Sequence, residues 1–212
     1  MSGVNDRTGP IRICVVRMAL SLALGLALGP VCAPSARLSA QDQRASGETY
    51  PSKRMADGKE WTAQNLNVNA APSYCYEDAE SNCERYGRLY TWESAGRVCQ
   101  SLGGGWRLPT DAEWRQLAKQ YGGVSEDSND KGKGAYKALL AGGSSGFNAL
   151  LGGGRSNAGE YARLEAHGFY WTASESDPAS AVFYNFGRGG LAFHRQNSIE
   201  KDWALSVRCV KD

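Results

Sequence analysis

From residue 86 onward apolar positions fall first at a strand-like spacing and then at a helical one. Tyr86-Gly87-Arg88-Leu89-Tyr90 predicts a short strand. Trp92, Ala95, Val98 and Cys99 then share one stripe of a helix capped by Thr91 and ended by the Gly103–Gly105 run. A second helix begins at Asp111. Pro109 cannot continue a helix backwards, Thr110 is a good N-cap, and Glu113 at the third helical position completes a capping box. Trp114, Leu117, Ala118 and Tyr121 line its apolar face, and Gly122 and Gly123 end it.

Elsewhere the pattern is strand and loop. Trp61 to Leu66 predicts a first strand, and Pro72 to Arg85 an irregular polar loop pinned by two cysteines. Residues 125–134 read as a surface loop. Its Asp127 and Asn129 resemble a calcium loop, but Lys131 holds a ligand position and Ala138 stands where a closing Glu belongs. Tyr136 to Leu140 predicts a brief helical or extended piece. The glycine-dense stretch 142–159 reads as loop backbone under aromatic residues, anchored by Phe147, Leu150 and Leu151. Leu151-Gly152-Gly153-Gly154-Arg155 lacks the Lys-Ser/Thr ending of a phosphate cradle. Phe169 to Ser174 predicts a strand, and Ala181–Phe186 with Leu191–Arg195 a hairpin about Gly187–Gly190. In the closing strand, Trp203, Leu205, Val207 and Cys209 share a core face. Two early helices followed by strands predict an α+β domain over residues 58–212, with 41–57 as a polar tether.

Residues 1–40 read as an export leader rather than structure. Arg7, Arg12 and Arg17 precede an apolar run from Met18 to Leu28, and Leu38-Ser39-Ala40 offers a small-residue cleavage site. The run is too short for a comfortable transmembrane helix, which needs about 20 residues. Cys32 raises a lipoprotein alternative, which bulky Val31 before it argues against. The expected location is therefore exported: secreted, periplasmic or on the cell surface. The formal charge of +2 changes sign without the leader, which carries four Arg and one Asp, leaving 20 basic and 21 acidic groups. That balance implies no nucleic-acid or anionic-lipid partner. Of six cysteines, Cys75, Cys83, Cys99 and Cys209 remain after the leader. An even count in an exported domain implies disulfides, and spacing favours Cys75 with Cys83 and Cys99 with Cys209. Without a C-x-x-C or paired His, no metal site or cofactor is implied.

Several motifs in order carry a resemblance: Trp61–Leu66, Tyr86–Trp92, Gly105–Trp114, Gly146–Leu150, Tyr170–Glu175 and Ser206–Asp212. Together they resemble the Fibrobacter succinogenes major paralogous domain, a family of exported bacterial proteins. Residues 100–104 depart from the pattern as a longer loop. Trp106–Trp114 and Val207–Val210 also look like the formylglycine-generating enzyme and sulfatase-modifying-factor group. That resemblance implies a C-type-lectin-like architecture: two helices, short twisted antiparallel sheets and long ordered loops.

The chemistry the residues support is sparse. An enzyme of the formylglycine-generating kind needs reactive thiolates binding copper, whereas these cysteines are better used as bridges. His167 and His194 are the only histidines, and neither sits in a recognisable triad. Ser176-Asp177-Pro178 and Asp202-Trp203-Ala204 supply too few calcium ligands, in the wrong order, for calcium-dependent sugar binding. Trp61, Trp92, Trp106 and Trp114 are expected in the core. Trp171, Tyr184, Asn185, Arg188 and His194 lie where such folds display variable loops, and are the candidate contacts for a glycan or protein ligand. The competing reading of Trp171 is that it packs. The expected function is a non-enzymatic binding or surface-interaction module. An enzyme-like maturation factor and a structural envelope protein are the alternatives.

Overall fold

The computed structural model describes residues 50–212. The expected leader, its two cysteines and most of the tether lie outside the described residues. In chain order the elements are β1 (Ser52–Arg54), β2 (Glu60–Thr62), β3 (Ser73–Tyr74), a 3-10 turn (Tyr76–Asp78), α1 (Glu80–Tyr86), β4 (Leu89–Tyr90), α2 (Trp92–Ser101), α3 (Asp111–Lys119), α4 (Lys133–Leu139), β5 (Gly152–Arg155), β6 (Tyr161–Leu164), β7 (His167–Asp177), β8 (Ser180–Gly187), β9 (Ala192–Glu200) and β10 (Val210–Lys211). A five-stranded sheet runs β6-β5-β7-β8-β9, antiparallel except between β5 and β7. β1-β2-β10 and β3-β4 form smaller sheets. The chain is α+β, as its pattern predicts.

The capping box forms. Thr110 Oγ1 accepts the Glu113 N–H at 3.2 Å, and the Glu113 carboxylate accepts the Thr110 N–H at 2.9 Å. The helix it starts buries Trp114, Leu117 and Ala118. Trp114 is the hub of one core, with the rings of Trp61, Tyr184, Phe147 and Tyr170 centred 5.1, 5.3, 5.6 and 5.7 Å away. Such pairs add about 0.5–1.5 kcal/mol each beyond area burial. A second core, on the other face of the long sheet, gathers Ala95, Val98, Cys99, Trp171, Phe183, Leu205 and Val207. Trp61 and Trp114 are fully buried, whereas Trp92 and Trp106 are half-buried, with the Lys201 and Lys211 ammonium groups 4.4 and 4.7 Å over their rings.

Both disulfides pair as the spacing suggests, Cys75 with Cys83 and Cys99 with Cys209. Beside the second bridge lies Arg208, fully buried and with no ion pair to a carboxylate among the described residues. Its Nε donates to Asn65 Oδ1 at 2.8 Å. Nη1 donates to the Thr62 and Phe147 carbonyls at 2.8 and 2.6 Å, and Nη2 to the Asn148 carbonyl at 2.6 Å. The guanidinium thus ties β2, the 147–148 turn and the C-terminal segment with one planar fork. Burial brings its pKa down to about 10.

Four regions differ from the sequence pattern. Structure begins before Gly58: β1 pairs with β2, and Tyr50 is buried with its hydroxyl on the Asn65 carbonyl at 2.7 Å. The expected irregular loop 72–85 holds β3, the 3-10 turn and α1. The glycine run expected as loop is strand β5. Glycine suits it because a Cβ on Gly152 would press on Ser206 Oγ at 3.3 Å, and one on Gly153 would meet the Ala162 carbonyl at 2.5 Å. The closing stretch 203–209 is not an ordinary ladder strand. It threads between elements with single bridges from Leu205 to Tyr90, Ala204 to Arg155 and Ser206 to Tyr170. Hemmed in on both sides, it buries Ser206 and Arg208 as fully as Leu205 and Val207.

Candidate functional site

The β8–β9 register places two of the candidate residues opposite each other. Asn185 pairs with His194, so their side chains share a sheet face. His167 joins them from β7, its Nδ1 2.9 Å from Asn185 Oδ1 and its ring stacked on Phe169 at 5.4 Å. His194 Nδ1 lies 3.9 Å from a Glu126 carboxylate oxygen. The two imidazoles therefore stand beside an amide and a carboxylate respectively. Arg188 is exposed in the hairpin turn.

Trp171 and Tyr184 do not belong with these surface groups, for both are fully buried. The Trp171 Nε1–H donates to the Tyr90 carbonyl at 2.7 Å, so its packing role is the one realised. Tyr184 points to the opposite face, stacks on Trp114 and donates to Asp111 Oδ1 at 2.8 Å. Burial and the adjacent carboxylate push its phenol pKa far up. Large aromatics in long central strands are drawn inward by the area they bury, whatever loops surround them.

The four described cysteines offer no thiolate. Cys75, Cys83 and the Glu80 carboxylate lie within 4.8 Å of one another, the arrangement among the described residues with most metal-ligand character. Their sulfurs are bonded to each other, which leaves one carboxylate, ion-paired with Arg88 at 3.7 Å. Cys209 is likewise spent on Cys99.

A concave site does exist, away from the hairpin. A cleft of about 450 Å³ opens between α2 and the turn leading into α3. One wall is the solvent-facing stripe of α2: Glu93, Gly96 and Gln100, with Trp92 at its start. The facing wall is Arg107, Leu108, Thr110 and Glu113, and Ala173 of β7 contributes the remainder. The volume lies within the range of small-ligand sites, about 300–1,000 Å³. Sequence motifs build the facing wall, because the capping box fixes Thr110 and Glu113. Arg107 then clasps Glu113 through two bonds of 2.7 and 2.6 Å. Burial opposes the Glu113 charge, yet Arg107 and the Thr110 N–H and hydroxyl outweigh it and bring the pKa down to about 2.

The two walls differ in electrostatics. The charges of the facing wall satisfy each other, Lys59 adding a third contact to Glu113 at 3.3 Å. On the α2 wall, Glu93 and Gln100 have no side-chain hydrogen bond or ion pair among the described residues. Sequence reading missed these two with Gly96, although positions 93, 96 and 100 fall on the face opposite the buried stripe of α2. A glycine there, inside an otherwise regular helix, was the available signal. Trp92 is fixed by its Nε1–H donating to the Thr172 carbonyl at 2.8 Å.

Two other hollows are less suited. One of about 490 Å³ beside α3 has its Arg115 committed to Asp127 and Asp111. One of about 280 Å³ is lined by Asn65, Asn67 and Cys83 and contains no Trp. Among the described residues no helix is long and apolar enough to cross a membrane.

The model of the Fibrobacter succinogenes major domain family matches residues 46–211. No curated protein and no solved structure matches the chain.

Proposed function

We propose, from the premise that this chain belongs to the Fibrobacter succinogenes major domain family, that it is an exported, non-enzymatic binding module whose ligand enters the α2 cleft. The cleft itself carries this reading: a preformed concavity whose α2 wall presents unpaired polar groups, on a scaffold closed by two disulfides. Cross-linking of this kind suits an oxidising compartment, and the leader predicted over residues 1–40 would deliver the chain there. The architecture we assign is C-type-lectin-like. Its supports are a terminal strand paired back onto β2, a long disulfide closing residue 99 on 209, and ordered loops between short strands.

The non-enzymatic assignment follows from where reactive groups stand. Its supports are that the four described cysteines are oxidised and that His167 bonds to an amide; His194, which faces the Glu126 carboxylate, is the group removed in the test below. Screening the purified chain against glycan and protein-partner arrays tests the binding role. Saturable capture lost when the cleft is filled supports it. Substrate turnover that disappears in His194→Ala refutes the non-enzymatic reading.

A further inference from the structure

The cleft wall of α2 contains a glycine with no packing reason to be there. Gly96 sits inside a ten-residue helix, and a Cβ built on it would meet nothing within 4 Å. Alanine would fit, and would stabilise the helix by about 0.5–1 kcal/mol. What the glycine provides is room: it lowers the cleft wall between Glu93 and Gln100. What the glycine contributes is therefore cleft volume rather than helix stability.

We infer that the cleft binds a neutral saccharide segment of at least two sugar units, an assignment that rests on the proposed binding role. Three observations point to this chemistry. Half-buried Trp92, one face of which carries the Lys201 ammonium, and exposed Ala173 supply apolar surface of the kind that takes the C–H face of a pyranose ring, over a floor of buried Leu108. Glu93 and Gln100 supply a free carboxylate and a free amide, which suit hydroxyl groups as acceptor and as donor–acceptor. Seven residues apart, they lie about 10 Å apart along the helix at 1.5 Å per residue, longer than one ring.

Charge narrows the class. Arg107 and Lys59 are matched by two carboxylates, Glu113 and Asp212, so Glu93 is the one lining charge without a partner among the described residues. Uronic acids and phosphorylated sugars are repelled. An extended peptide is disfavoured for a different reason: it needs main-chain partners, and a helical wall has already spent its own N–H and C=O groups.

The test is isothermal calorimetry on the full oxidised chain with cello-, xylo-, chito- and malto-oligosaccharides. An oligogalacturonate and an oligolysine run in parallel. The expected result is saturable binding of at least one neutral oligosaccharide and none of the galacturonate. Gly96→Leu, which fills the cleft, and Glu93→Gln, an exposed change that leaves the fold alone, each weaken it by about tenfold or more. Gly96→Ala keeps binding within a few-fold and raises the thermal midpoint. Binding of oligolysine alone, sensitive to Gly96→Leu, overturns the saccharide assignment while the binding role stands. No binding by any probe, or affinities that Gly96→Leu and Glu93→Gln leave unchanged, overturns the saccharide assignment of this cleft; the binding role falls only if the glycan and protein-partner arrays find no ligand either.

Discussion

Replacing Arg208 separates two explanations for a buried cation, charge and geometry. Arg208→Met removes the charge and every donor at nearly constant volume. The Thr62 and Phe147 carbonyls lose a buried donor, and the part-buried Asn148 carbonyl loses one too. At about 1–3 kcal/mol for each buried orphan and less for the third, the loss is about 4–5 kcal/mol. Against it stands relief of desolvation. A pKa brought from 12.5 to about 10 corresponds to about 3 kcal/mol at 1.36 per unit. The net cost expected is about 1–2 kcal/mol. Arg208→Lys keeps a buried charge but cannot reach four acceptors spread over three chain segments, so it costs more, about 3–5 kcal/mol. Its folded pKa would lie below the unfolded value. The unfolded chain then binds more protons, and stability climbs as pH rises from 7 towards 10. The parent protein stays flat across that window, because its own gain begins only above about pH 10. Urea midpoints of the oxidised proteins at pH 7 and 9 measure all of this. A lysine variant more stable than the methionine variant at pH 7 refutes the geometric account.

Other expectations follow from the same contacts. Glu113, depressed to about 2, contributes stability that is complete above about pH 4.5 and lost as pH falls through about 2; the span is about 3 kcal/mol, and thermal midpoints of parent and Glu113→Gln between pH 6 and 2 should converge at the acid end. Serine at both Cys99 and Cys209 opens a closure of 110 residues and costs about 4.7 kcal/mol in the chain-entropy model. The Cys75 and Cys83 pair, separated by 8, costs about half that, and denaturant midpoints of the two double variants should fall in that order. Gly153→Ala should destabilise by at least about 1–2 kcal/mol, since φ is +65° and a Cβ would strike the Ala162 carbonyl at 2.5 Å, the opposite sign to Gly96→Ala. An unchanged thermal midpoint for Gly153→Ala counts against this packing.

How much of this was legible depended on whether a signal was local. Residues 110–118 were, because a capping box and an apolar stripe are written within one short stretch. The cysteine pairing was, because Cys75 and Cys83 close the shortest loop available and leave Cys99, near a helix end, for Cys209 near the C-terminus. β5 was not, because a strand made of glycine has neither β-branching nor alternation, and its need for glycine comes from Ala162 of the next strand and from Phe169, Leu205 and Ser206 further along the chain. Nor was the interior position of Arg208, since alternation over 203–209 describes one buried face and cannot reveal that the other is covered too. The cleft was half legible. Its Arg107–Glu113 wall lies in a motif, whereas Glu93, Gly96 and Gln100 acquire meaning only once Ala173 of β7 is brought beside them.

The bond between Cys99 and Cys209 also decides how the molecule carries a mechanical load. Tension applied between residue 50 and residue 212 passes through that covalent link and bypasses everything from 100 to 208. The five-stranded sheet, α3 and the facing wall of the cleft sit inside the bypassed segment. α2 as far as Cys99, with Glu93 and Gly96, sits on the loaded path just before it, whereas Gln100 falls just inside the bypassed segment. A pull on an oxidised molecule would thus strain one lip of the cleft while the other stays at rest. Reducing the bridge would put both lips under the same force.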